Sequence, residues 1–230
     1  RQSIMTRVNR TKLCDRILPD YTRGEEILNT TTHIIGGAFS VAALALCVVF
    51  AARHKNVYGI ISSVIYGVTM IALYTVSSVY HGMPVGMGKK VMQVIDHCTI
   101  YSMIAGTYTV MALSALRPMY PRLGWSIFAF EWIMAIFATV LTAIDLKKYR
   151  VLSMVCYIGL GWAIIPFARQ TYTVLTRNGF LFLLWGGIAY TIGAVMYGIG
   201  SKKRWMHSVF HIFVVLGSVL QFFAVLLYAV

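Results

Sequence analysis

Residues 205–229 read WMHSVFHIFVVLGSVLQFFAVLLYA, twenty-five positions without one Asp, Glu, Lys or Arg. An α-helix rises about 1.5 Å per residue, so a run of this length crosses the roughly 30 Å hydrocarbon core of a bilayer. Directly before it stand Lys202, Lys203 and Arg204, the basic flank that marks a cytoplasmic membrane border. The first turns of the same run carry two histidines, His207 and His211. Ionisable groups at that depth are costly and face a protein or water cavity.

Working outward, six further apolar runs lie at about 28–52, 57–80, 94–116, 125–144, 151–168 and 179–200. Each has the length of a membrane helix or nearly so, and the fifth, ending near Pro166, is the shortest. Overall 59% of the residues are hydrophobic and 12% charged, against about a quarter charged in a soluble domain. The expected fold is therefore an all-α membrane protein, a bundle of seven transmembrane helices over residues 27–230. A polar cytoplasmic segment, 1–26, precedes it, with room for a short interfacial helix. No signal peptide is expected, since the first apolar run begins only near residue 27.

The chain carries 20 Lys and Arg against 7 Asp and Glu, a net charge of +13. These cations sit in short clusters between apolar runs, which fits topology and anionic lipid headgroups and not a nucleic-acid partner. With the N-terminus in the cytoplasm, fourteen basic residues fall inside and six outside. The positive-inside rule thus sets the N-terminus in and the C-terminus out. That orientation is the reverse of a G-protein-coupled receptor. A microbial rhodopsin is disfavoured by the last helix, which has no lysine after Arg204 to form a Schiff base. No internal repeat suggests an inverted-repeat transporter. Cys14, Cys47, Cys98 and Cys156 form no CxxC pair, and no disulfide framework is implied.

Against this greasy background the polar residues stand out. His81 closes the second helix in SSVYH, Asp96 and His97 open the third, and His207 and His211 open the seventh. In the N-in topology all these ends lie in the cytoplasmic leaflet. Asp96 sits roughly 9 Å past Lys90, and His211 roughly 10 Å past Arg204. Residues far apart in sequence thus share one depth. His207 and His211, four apart, stack on one helix face, the spacing that lets two imidazoles grip one metal. His81 would complete a three-histidine site with a position open to water, as in catalytic zinc. Asp96 is then a ligand or the holder of that water, and Ser77, one turn before His81, a partner for it or for a substrate carbonyl. His97 points about 100° away from Asp96 and is read as packing or support. His33 and Glu26 stand at the start of the first helix. Glu131, near the outer end of the fourth, is expected to pair with Arg117 or Arg122. His54 lies in an outer loop.

Ser77…His81, Asp96 and His207…His211 on a seven-helix, N-in chain resemble the progestin and adipoQ receptor family, whose bacterial branch is called hemolysin III. Glu26…Asn29…His33, Asp96-His97 and Gly106-Thr107-Tyr108-Thr109 look like that branch in particular. The resemblance runs from about residue 22 to 229. It implies a zinc ion held by His81, His207 and His211, with Asp96 on its water and Ser77 nearby. Relatives of the family include adiponectin receptors and, more distantly, alkaline ceramidases. The long N-terminal domain of the animal receptors is not seen, so a multi-pass protein of the bacterial plasma membrane is expected. Two functions follow as expectations. One is a zinc-dependent intramembrane hydrolase of a lipid amide or ester, with Asp96 as general base and membrane lipids as partners. The other is a non-enzymatic receptor, membrane-homeostasis regulator or cytolysin in which zinc clamps the helices.

Overall fold

The computed structural model describes residues 10–200 and 202–230. Its regular structure is helical throughout: α1 (Arg23–Arg53), α2 (Val57–Gly82), α3 (Met87–Thr109), α4 (Pro121–Ile144), α5 (Arg150–Gly161), α6 (Ala168–Gly200) and α7 (Met206–Tyr228). Six helical stretches are long and apolar enough to cross a membrane, one of them the continuous run from Arg150 to Gly200. The chain is thus a multi-span membrane protein.

The fifth segment departs from expectation. Helix α5 has only 12 residues and passes through a turn and a 3-10 segment, Ile165–Phe167, into α6. Pro166 lacks the N–H that would continue an α-helix through this point. Helix α6 is itself broken at Thr176, whose φ of 59° and ψ of 179° are non-helical. Before α1 the described residues form only a 3-10 turn, Leu13–Asp15, where an interfacial helix had room. Arg1 and Arg7, counted in the charge argument, lie outside the described residues.

Helix α1 shows how the polarity of the fold is arranged. Its buried face is Asn29, His33, Gly36, Ser40, Ala43, Cys47 and Ala51, at helical spacing. Its exposed face carries Ile34, Ile35, Val41, Leu46 and Val49. Small and polar residues inside, branched apolar ones outside, is the pattern of helices solvated by lipid. Close approach follows: a Cβ at Gly36 would stand 2.5 Å from the Tyr74 ring of α2. Helix α1 packs against both α2 and α7, α2 against α3, and α6 against α7, and contacts of α3 with α4, α4 with α5 and α5 with α6 close the ring. Tyr74 Oη donates to Ser218 Oγ at 2.7 Å, and Ser218 also meets Tyr190 Oη at 2.8 Å, tying α2, α7 and α6 together.

Helices α1 and α3 both begin earlier than the apolar runs suggest. Thr22 caps α1 through a reciprocal box with Glu25: Glu25 N donates to Thr22 Oγ1 at 3.2 Å, and Thr22 N donates to Glu25 Oε2 at 2.8 Å. Glu26 therefore lies in the first turn of α1, and Lys89 in the first turn of α3. The Glu25 carboxylate also receives the Trp205 N–H at 2.6 Å, which fixes the entry to α7.

Candidate metal centre

Ser77 and His81 are four apart on α2, His207 and His211 four apart on α7, so each pair shares a helix face. The three imidazoles converge. His207 Nε2 lies 3.4 Å from His81 Nε2 and 3.0 Å from His211 Nε2. All three side chains are buried, and their ligand atoms lie within 4.8 Å of one another.

Glu26 decides what His81 offers. Its Oε2 accepts from His81 Nδ1 at 2.6 Å, while its Oε1 accepts from Lys89 Nζ at 2.6 Å. A carboxylate only accepts, so the His81 proton is held on Nδ1 and Nε2 presents a bare lone pair to the centre. A neutral imidazole nitrogen offers either one proton or one lone pair, so three Nε2 atoms cannot all be satisfied by hydrogen bonds to one another. Their arrangement fits a cation: with metal–nitrogen distances near 2.0–2.1 Å, ligands at the corners of a tetrahedron stand about 3.3 Å apart. The donor set and spacing suit a divalent metal ion.

Other groups crowd the centre. Tyr21 stacks on His207 at 4.8 Å between ring centroids, and burial pushes its phenol well above the ordinary tyrosine range. The His33 ring lies 3.9 Å from that of His211, and neither His33 nitrogen has a partner. Asp96 is not among the converging ligand groups. It lies beside the Ser77 hydroxyl and shares with Ser77, His33 and His211 one end of a cavity of about 140 Å³. That cavity is otherwise lined mainly by apolar and aromatic side chains of α3, α5, α6 and α7, and it follows α7 from His211 to Gln221. Ten residues of helix make it about 15 Å long.

The His97 ring nitrogens meet Gln93 O at 2.8 Å and Tyr197 Oη at 3.0 Å, and His97 lines the same cavity as Asp96. Glu131 does not pair with either arginine. It is fully buried with both carboxyl oxygens unpartnered, while Arg117 Nε donates to Leu113 O and its guanidinium stacks on Tyr58. Glu26, Tyr21 and Lys89 are the residues whose roles the sequence reading did not assign. The Thr22-x-x-Glu25 capping box was the available signal, since it starts the helix one turn sooner and aligns Glu26, Asn29 and His33.

Residues 21–222 match the family described as Haemolysin-III related. The chain belongs to the haemolysin-III family. It is 37% identical to Hemolysin-3 of Bacillus cereus, covering 89% of this chain and 91% of that protein. It is 36% identical to the Hemolysin-3 homolog of Bacillus subtilis (strain 168), covering 91% and 97%. The human Monocyte to macrophage differentiation factor shares 27% identity over 72% of this chain and 69% of its own. These matches bear out the resemblance to the progestin and adipoQ receptor family and its bacterial branch. No solved structure matches.

Proposed function

We propose that this haemolysin-III family protein is a zinc-dependent hydrolase that cleaves an amide or ester of an acyl lipid within the plasma membrane. One observation carries the reading: the metal-competent histidines open, through His211, onto the same apolar cavity as Asp96 and Ser77. A purely structural metal site has no need of a carboxylate outside its ligand set and an elongated apolar cavity beside it. We read the fold as seven crossings with the N-terminus inside. The break at Thr176 supports this, because Trp162 and Thr191, nearly equidistant from it in sequence, are hydrogen-bonded at 2.9 Å. Two antiparallel arms account for that bond.

Zinc, when bound, polarises a carbonyl and makes water acidic near neutral pH. The chain's own residues do the rest. Glu26 keeps the His81 proton on Nδ1. Asp96 takes a proton from the attacking water and returns it to the leaving nitrogen or oxygen, and Ser77 holds the Asp96 carboxylate in place. The apolar cavity receives the acyl chain and excludes bulk water.

A second reading, a zinc clamp in a non-enzymatic membrane protein, is favoured by the span of the triad, which joins α2 to α7. Zinc content and acyl-lipid hydrolysis of purified wild type and Asp96→Asn separate the two. The hydrolase predicts one zinc per chain in both proteins and turnover at least about a hundredfold lower in the variant. A wild type with full zinc and no turnover across amide and ester lipids would leave only the clamp.

A further inference from the structure

Arg16 is 7% exposed, and neither its Nε nor its Nη1 has a hydrogen-bond partner. A buried guanidinium without a partner is expensive, and an unsatisfied buried donor in a native fold marks something that completes it. The backbone before it is fastened in two places. Thr11 N donates to Asp145 Oδ2 at 2.8 Å, and Lys90 Nζ donates to Cys14 O at 2.6 Å. Arg16 is thus held where it is by its neighbours.

What it faces is a second chamber, of about 510 Å³, at the end of the bundle where the triad lies. Arg16, Lys147, Arg150, Lys202, Lys203 and Arg204 line it. Asp15, Asp20 and Glu25 line it too, but Glu25 is already engaged by Thr22 and Trp205. Cations therefore dominate the chamber. Its inner wall includes His207, and His97, Tyr157 and Tyr197 line both this chamber and the apolar cavity. The histidine triad stands between them, with His207 on the charged side and His211 on the apolar side.

We propose that this vestibule is a binding site for a phosphate group, with Arg16 as its buried recognition residue. The fitting ligand is an amphiphile whose phosphate-bearing headgroup sits against Arg16 while its acyl chain enters the apolar cavity. A guanidinium with unpartnered N–H donors suits the oxygens of a phosphate, and the surrounding cations supply its counter-charge. Exposed lysines at a cytoplasmic border attract anionic lipid in any case. The unpartnered, buried Arg16 is what distinguishes a site from a charged rim. The proposal rests on the hydrolase reading only in calling this amphiphile the substrate.

The test uses the full chain in an uncharged detergent, with three probes: dihexanoyl phosphatidic acid, the neutral dihexanoyl glycerol of the same tails, and inorganic phosphate. Phosphatidic acid should bind at least tenfold tighter than the neutral lipid. Arg16→Gln should abolish that preference, while Lys148→Gln, a cation outside the vestibule, should preserve it. Without ligand, Arg16→Gln should melt no lower than wild type, since it removes an unpaired buried charge. If that variant does not fold, Arg150→Gln, at the exposed rim, should show a smaller loss of the same preference. Inorganic phosphate matching the lipid in affinity would still support the phosphate site, but with a soluble phosphate compound as its source. Equal binding of charged and neutral lipids, or an unchanged preference in Arg16→Gln, overturns the proposal. Headgroup-selective binding without turnover would sink the hydrolase and leave this site standing; turnover without headgroup preference would do the reverse.

Discussion

Replacing Glu26 by Gln tests how the triad is prepared for a metal. In the wild type, the two carboxylate oxygens accept from His81 Nδ1 and Lys89 Nζ, each at 2.6 Å. Glutamine has the same length but offers one acceptor and one donor. If its carbonyl faces His81, its NH₂ confronts the Lys89 ammonium, donor against donor. If it turns round, it presents a donor to His81 Nδ1 and drives the imidazole proton to Nε2, where a metal must displace it. The first orientation loses the hydrogen bond from the Lys89 ammonium, a contribution of about 1.5–3 kcal/mol, while the second keeps both hydrogen bonds and puts the cost on the His81 tautomer. Loss of such an outer partner weakens metal binding about 10–100-fold, or roughly 1.4–2.8 kcal/mol. The direct assay is zinc titration of the detergent-solubilised chain against a chromophoric chelator. Thermal unfolding gives a second readout. At free zinc about 100 times the wild-type Kd, binding stabilises the fold by about 2.7 kcal/mol, and a hundredfold weaker variant would keep only about 0.4. Removing the confronting charge with Lys89→Met should restore part of the affinity in the Gln background, a coupling that a double-mutant cycle reads. Zinc affinity within twofold of wild type in Glu26→Gln would refute the claim that this carboxylate sets the His81 tautomer.

Two further predictions concern the frame. Asp145 accepts the backbone N–H groups of Thr11, Lys147 and Lys148; burial pushes its carboxyl up, but these donors outweigh it and hold the group below its ordinary value of 3.8. Its stabilisation is therefore complete above that value and lost as pH falls through the lower folded one, so Asp145→Asn should lower Tm at neutral pH and converge with wild type in strong acid; parallel curves would disprove it. A reporter fused after Val230 should register outside the cytoplasm and one in the 145–150 loop inside, whereas finding both on one side would remove the seven-crossing reading.

The histidine triad was legible because its signals are local and periodic. His207 and His211 are four apart, His81 closes an apolar run, and charge clusters put both helix ends at one depth. Glu26 was harder, since an apolar run marks where lipid contact begins and not where the helix begins. The helix starts at Arg23, set by the Thr22–Glu25 box. The α5–α6 region was legible in part: the fifth run ends near Pro166 and the break at Thr176 falls between the fifth and sixth runs, but helix α5 stops sooner, at Gly161. Apolar length could not show that residues 168–175 are helical and lead into the next helix, because that depends on packing around them. Glu131 misled through proximity in sequence: Arg117 is consumed by Leu113 O and the Tyr58 ring.

In a bilayer a chain must satisfy its own polar groups, because lipid offers no partners. The bundle follows this closely. Ser40, Thr109 and Thr171 hydroxyls return to backbone carbonyls one turn earlier, and Tyr74, Tyr190 and Ser218 satisfy one another. Among the described residues the exceptions include Ser63, Tyr66 and Glu131, away from both chambers, but the basic ones share a position. His33 and His211 Nδ1 are left unpartnered beside the triad, and Arg16 is left unpartnered at the wall of the charged vestibule. Those groups border the two chambers that meet at the histidines. Residues without a ligand to complete them would be replaced by apolar ones at a gain in stability. A cation at the triad and an anion against Arg16 give these costly groups a physical reason to be there.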